Sequence, residues 1–94
     1  MTDTRWLDAT EQAALIRRGE LTAKDLVEAA IARIEELNPH LDAVIRTRFD
    51  AARAEAAGDL PDGPFRGVPM LIKDLACSFV GEPTAFGLGP MREF

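Results

Sequence analysis

The chain has 94 residues, of which 47% are apolar and 29% are charged, and its formal net charge is -5. This composition is typical of a folded domain, and the length allows one domain at most, over residues 1–94. The basic residues are interleaved with acidic ones, which argues against a nucleic acid partner because phosphate binding needs a clustered basic surface.

The sequence also lacks the features of a membrane or secreted protein. No apolar stretch approaches the roughly 20 residues that span a bilayer, and MTDTRWLDAT has neither the basic nor the apolar region of a signal peptide. A single cysteine, Cys77, cannot form an internal disulfide. We therefore expect a cytoplasmic protein with no membrane partner.

Three helices are predicted in the first two thirds of the chain. The first, over about 8–18, starts at Asp8 with Glu11 in the reciprocal position of a capping box, and Gly19 ends it. The second, over about 22–38, has Thr22 and Asp25 as a capping box and a regular apolar stripe that includes Leu26 and Ile31. Asn38-Pro39 should stop it, because a residue before proline is disfavoured in the α region. An alanine-rich third helix is predicted over about 47–57.

Two strands are predicted, over about 42–46 and 68–73. The second of them, VPMLIK, is apolar on both faces, as expected for a strand that is buried between two layers. Two short strands cannot cover their own faces and edges. The element order therefore predicts an α/β fold that is incomplete as given, and we expect the chain to be a piece of a larger domain.

Lys73 is the candidate for chemistry, since it lies at the carboxyl end of the second predicted strand, where α/β sheets bind ligands. A partly buried lysine has a lowered pKa, which suits a general base. The alternative is a structural or solvated lysine that Asp74 holds in its charged form. The residues alone do not choose between these two roles.

Other reactive residues have simpler explanations. His40 follows a predicted helix end, where a capping or surface role is expected. Cys77 is expected to act as a small apolar side chain. One cysteine and one histidine cannot make a structural zinc site, and no phosphate-binding glycine loop precedes a helix. We therefore expect neither a metal nor a cofactor.

Two parts of the sequence together resemble the N-terminal part of amidase-signature enzymes. They are the stretch LDATEQAALIRRGELTAKDLVEAAIARIEELNPHLDAVI and the later GVPMLIKDLA. The most specific piece is Gly67 to Asp74, which matches the family pattern Gly-[Val/Ile]-Pro-x-x-[Val/Ile/Leu]-Lys-Asp. Around WLDAT and Asn38-Pro39 the chain is especially similar to bacterial hydrolases of nylon-type cyclic amide oligomers.

The resemblance implies an α/β/α amidase fold, of which this chain is the helix-rich N-terminal portion. It also implies a Ser-Ser-Lys triad that hydrolyses a carboxylic amide through an acyl-enzyme, and Lys73 corresponds to the lysine of that triad. Both family serines lie downstream of these 94 residues, so the chain as given should not turn over an amide. The family's Thr-x-Gly-Ser is also altered here, to the sequence TAFGL over 84–88, and Ser78 has no matching context.

Two interpretations therefore stay open. In one, the chain is part of an amidase that acts on a small amide substrate. In the other, it is a stand-alone, non-catalytic helical module or an inactive remnant, with Lys73 an ordinary residue. The apolar stripe of the second helix leaves room for a homodimer under either interpretation.

Overall fold

The fold was analysed in a computed structural model that describes residues 3–71. Three helices run in chain order: α1 is Ala9–Arg17, α2 is Ala23–Leu41 and α3 is Phe49–Ala57. Residues 3–71 contain no strand. The described part of the chain is therefore helix-rich, and the sheet of the predicted α/β fold is not visible in it.

The start and end of α1 follow from local hydrogen bonds. The Asp8 carboxylate accepts a hydrogen bond from the backbone N–H of Glu11 at 2.8 Å, as an N-cap does. At the other end Gly19 has a φ of 74°, and its N–H donates to the carbonyl of Ile16. The N–H of Glu20 donates to the carbonyl of Leu15, which completes a Schellman motif. Gly19 therefore ends α1 as predicted.

The capping box of α2 is present in full. The Thr22 hydroxyl accepts a hydrogen bond from the Asp25 N–H at 3.1 Å, and the Asp25 carboxylate accepts one from the Thr22 N–H at 3.0 Å. Leu21 and Leu26, which hold the two positions of a hydrophobic staple, are both buried. These local contacts set the direction in which the chain enters α2.

The predicted stop at Asn38-Pro39 is wrong, because α2 continues to Leu41. Pro39 lies in the last turn of α2. The backbone hydrogen bond that proline cannot donate is therefore lost near the end of the helix, where few further helical hydrogen bonds follow. Asp42 then closes the helix in the left-handed conformation, at a φ of 51°, and its N–H donates to the Asn38 carbonyl at 2.7 Å.

The strand predicted over 42–46 is also wrong, and Asn38 supplies the reason. The Val44 N–H donates to Asn38 Oδ1 at 2.8 Å, and Asn38 Nδ2 donates to the Val44 carbonyl at 2.9 Å. A side-chain amide thus satisfies both backbone groups that a strand neighbour would otherwise bind. Residues 68–71 are likewise outside any strand, and residues 72 and 73 of that prediction lie outside the described residues.

A small apolar core lies between the helices and is centred on α2. Its buried members come from α1, the α1–α2 turn and α2: Ala13, Leu21, Leu26, Val27 and Ile31. Helix α3 packs against α2, and Arg53 on α3 binds Glu28 on α2 through two hydrogen bonds, of 2.7 and 3.4 Å. The N-terminal segment is tied to α2 by the buried Thr4, whose hydroxyl accepts a hydrogen bond from Arg33.

Several large apolar side chains are exposed in the described part of the chain. They lie in the N-terminal segment, at the end of α2, after α2 and around residues 65–71: Trp6, Leu37, Leu41, Ile45, Phe65, Met70 and Leu71. Among residues 3–71, no helix is both long enough and apolar enough to cross a bilayer.

Candidate active site

The predicted catalytic residue, Lys73, lies outside the described residues, as do Asp74, Cys77 and Ser78. Its role therefore stays a prediction. The structure does describe the segment that leads to Lys73, from the end of α3 to Leu71, and the contacts that hold this segment against α1 and α2.

Gly67 makes the closest of these contacts. Its φ is 86°, in the left-handed region that favours glycine. A Cβ built on Gly67 would lie 2.8 Å from Ile16 Cδ1 and 3.1 Å from Ala23 Cβ, both closer than ordinary van der Waals contact. We call this packing of Gly67 against Ile16 of α1 and Ala23 of α2 the Gly67 contact. The positive φ and the nearby Ala23 Cβ both disfavour a side chain at this position, whereas Ile16 Cδ1 is the end of a flexible side chain that can move aside.

Hydrogen bonds hold the loop just before Gly67. Arg17, in the last turn of α1, donates from Nη1 to the Pro64 carbonyl at 3.3 Å. The Arg66 N–H donates to the Gly63 carbonyl at 3.3 Å, and the Val68 N–H donates to the Phe65 carbonyl at 3.0 Å. Two successive turns thus bring the chain from the surface of α1 to the Gly67 contact.

The charged groups of this loop pair with one another. Arg66 binds Asp62 at 3.0 Å and lies 3.5 Å from Asp59. A shallow depression of about 330 Å³, formed by residues 60–67, borders this ion pair. Because Asp62 and Arg66 neutralise each other, we interpret the depression as a feature of the loop rather than as a second reactive site.

Two carboxylates in the described part of the chain, Asp3 and Glu28, have lowered pKa values, and both belong to ion pairs. Hydrogen bonds from Arg5 lower the pKa of Asp3 to about 2. A hydrogen bond from Arg53 lowers the pKa of Glu28, and the same bond raises the pKa of Arg53. These groups stay charged near neutral pH, and their partners are structural, so none of them suits proton transfer.

His40 lies in the last turn of α2 and is exposed, in agreement with the surface role expected for it. Within residues 3–71 no group of His, Cys, Asp and Glu side chains could hold a metal ion. Within the described residues, the part that relates to the predicted active site is therefore the segment that ends near Leu71.

The sequence identified Gly67 as the first residue of the family motif but did not indicate its partners. Ile16 and Ala23 were predicted only as members of helices. The available signal was Gly67 itself, since glycine is the usual residue where the backbone has a positive φ or closely approaches another part of the protein. The sequence could not show which helices it approaches.

Comparison with known proteins finds amidases across nearly the whole chain. The chain is 43% identical over 88 residues to the 6-aminohexanoate-cyclic-dimer hydrolase of Paenarthrobacter ureafaciens, a match of 94% of this chain and 17% of that enzyme. It is 36% identical to the acylamidase of Rhodococcus erythropolis, covering 94% of this chain and 20% of that enzyme. It is 40% identical to the lipoamidase of Enterococcus faecalis, covering 97% of this chain and 13% of that enzyme.

No protein-family model and no solved structure matches the chain. The amidase relatives are all much longer, and the chain spans 13–20% of the length of the three just named. These matches confirm the resemblance given by the sequence motifs, including the similarity to hydrolases of cyclic amide oligomers. The chain is therefore similar to amidases over nearly its whole length, and it corresponds to a fifth or less of the length of those amidases.

Proposed function

We propose that this chain supplies the catalytic lysine, Lys73, of an amidase that hydrolyses a carboxylic amide through a Ser-Ser-Lys triad. The observation that carries the proposal is the 43% identity to a 6-aminohexanoate-cyclic-dimer hydrolase over 88 of the 94 residues. Any stretch of that length in this chain includes residues 67–74, the Gly-Val-Pro-Met-Leu-Ile-Lys-Asp motif.

The proposed chemistry needs a neutral lysine. Through a bridging serine, Lys73 takes the proton of a second serine, which attacks the amide carbonyl to give an acyl-enzyme. The amine leaves with a proton returned by the same route, and water then releases the acid. A lysine that accepts a proton near neutral pH needs a lowered pKa, which burial or a nearby positive charge provides. Both serines would come from polypeptide beyond these 94 residues.

The exposed apolar side chains support a longer protein. Met70 and Leu71, which directly precede the motif's Ile72-Lys73, are 81% and 69% exposed, and Leu41 is 66% exposed. Leaving such side chains in water has a free-energy cost, and burial of one leucine typically contributes about 1.5–3 kcal/mol. We propose that further parts of an amidase domain cover them.

A hybrid enzyme tests the proposal directly. In the Paenarthrobacter 6-aminohexanoate-cyclic-dimer hydrolase, this chain replaces the matching 88-residue segment, and release of product from the cyclic dimer is measured. Lys73→Ala should lower kcat by at least about 10³-fold, as expected for loss of a member of a catalytic triad. Lys73→Arg should be as inactive, since arginine does not give up its proton.

The chain contains a matched control. Its other lysine, Lys24, is exposed on α2 and is also followed by aspartate and leucine. Lys24→Ala should leave kcat unchanged. A folded Lys73→Ala hybrid that keeps its turnover would contradict the proposed triad, and a folded but inactive unmutated hybrid would contradict the proposal that this chain can serve in an amidase.

A further inference from the structure

We infer that Gly67, through its contact with Ile16 and Ala23, is a positioning residue for Lys73. The inference rests on the proposed function, because it assigns to α1 and α2 the task of placing the catalytic lysine. The contacts of Gly67 that support it lie in described residues.

The Gly67 contact is closer than ordinary van der Waals packing would allow for a residue with a Cβ. A Cβ at position 67 would meet Ile16 Cδ1 at 2.8 Å, and ordinary contact begins at 3.4 Å. An alanine there must move its backbone or the Ile16 side chain by about 0.6 Å or more. The φ of 86° adds strain for any residue with a Cβ. Because Ala23 Cβ cannot rotate away as Ile16 Cδ1 can, a Cβ at position 67 displaces the chain from the α1–α2 junction by a few tenths of an ångström.

The chain is restrained on both sides of Gly67. On the N-terminal side, the Arg17 hydrogen bond to Pro64 and the two turns at 63–68 hold the loop. On the C-terminal side, Pro69 has a fixed φ, and a residue before proline, here Val68, has a restricted ψ. A displacement at Gly67 is therefore carried forward at least to Pro69 rather than absorbed at the next bond.

Gly67 and Lys73 are close to each other along the chain. Lys73 is six residues beyond Gly67, a length that spans at most about 20 Å. Catalytic rates fall steeply with misplacement, by about 10²-fold for an error near 1 Å. A shift of several tenths of an ångström at Gly67 is thus large enough to change the rate.

The test uses the hybrid enzyme with Gly67→Ala. We expect kcat to fall by about 10-fold to 10²-fold with little change in KM. The limb of the pH–rate profile on which the rate rises with pH reports the pKa of the general base, and it should also move, because a displaced lysine has different neighbours. A purely structural glycine would change the melting temperature but not this pH dependence. Gly63→Ala is the matched control, since a Cβ at Gly63 would meet no atom within 4 Å.

A second substitution identifies the atoms responsible. Ile16→Val removes Cδ1, the atom that the new Cβ meets first. Added to Gly67→Ala, it should recover kcat by at least about 5-fold, although the contact with Ala23 remains. Gly19→Ala provides a separate control for strain, because Gly19 also has a positive φ but open space around its Cα. It should affect stability without moving the pH–rate profile.

If Gly67→Ala does not yield a folded enzyme, the contact is loosened from the other side. Ile16→Ala keeps Gly67 and removes most of the side chain against which it packs. It should lower kcat and move the pH–rate profile, whereas Leu15→Ala, one position earlier in α1 and also half-buried, should not. Equal effects of these two substitutions would overturn the inference.

Lys73→Ala, measured in parallel, distinguishes the two proposals. If Lys73→Ala keeps its activity, the proposed function fails and the inference falls with it. If Lys73→Ala is inactive but folded Gly67→Ala keeps the original kcat and pH–rate profile, only the inference is overturned. Loss of rate in both, with recovery by Ile16→Val, supports both.

Discussion

The position of the core on α2 can be tested with one substitution at two sites of that helix. Leu26 and Leu37 lie on the same helix, but Leu26 is 1% exposed and Leu37 is 48% exposed. Leu→Ala at each site removes the same atoms and makes the same gain in helix propensity. Any difference between the two variants therefore reports burial.

The expected magnitudes follow from these exposures. Leu26→Ala leaves a cavity in a core with few other members, so it should lower the free energy of unfolding by about 2–5 kcal/mol. Leu37→Ala removes atoms that are half in water, and a loss of about 1 kcal/mol is expected. A domain of this length has about 5–15 kcal/mol in all, so Leu26→Ala removes a large share of it. The melting temperature should fall by about 4–8 °C per kcal/mol.

Urea and thermal unfolding of the isolated chain, or of the hybrid hydrolase if the isolated chain does not unfold cooperatively, provide the assay and are followed by circular dichroism at 222 nm. Trp6 fluorescence is a poor probe, because Trp6 is already 84% exposed in the folded chain. Equal losses for the two variants would refute the assignment of the core to the Leu26 face. A wild-type chain that melts as a cooperative monomer favours a stand-alone module, and one that melts without a cooperative transition favours a part of a larger domain.

Two further predictions concern contacts of α2. Asn38→Ala loses both hydrogen bonds to Val44 and should lower the free energy of unfolding by about 1–2 kcal/mol. Asn38→Asp should lose at least as much, because it places a carboxylate oxygen against the Val44 carbonyl and a negative charge in the last turn of α2; a smaller loss in urea unfolding would contradict this. Because Arg53 lowers the pKa of Glu28 in the folded chain, this pair adds stability above the ordinary Glu pKa of 4.5 and loses it as the pH falls through the lowered value. The melting temperature of wild type should therefore exceed that of Glu28→Gln at pH 7 and converge with it on acidification, and a difference that is constant with pH would contradict the assignment.

The helix ends that were predicted correctly depend on short-range hydrogen bonds. The capping box at Thr22 and Asp25 and the end of α1 at Gly19 each involve residues only a few positions apart, so the sequence contains all that is needed. Their geometry follows from residue type and spacing, and the structure agrees.

The errors arose where a side chain replaced a backbone partner. Asn38 was predicted to end α2 because Pro39 follows it, and Val44 was predicted to lie in a strand over 42–46. In the structure the Asn38 side chain binds both backbone groups of Val44, and α2 continues past Pro39. Statistical preferences of single residues do not include a contact of this kind, which closes the turn after α2 and removes the need for a partner strand.

The candidate site, too, could be predicted only in part from the sequence. Its motif, from Gly67 to Lys73, is contiguous and can be recognised from the sequence, but the groups that hold Gly67 are Ile16 and Ala23, more than forty residues earlier. A general base depends on where its nitrogen lies and on its pKa, and distant contacts determine both. Under the proposed function, the motif is therefore necessary but not sufficient for catalysis. If the Gly67 contact has the role inferred here, an amidase with an intact Lys73 and an altered α1–α2 junction should retain its triad and still turn over slowly.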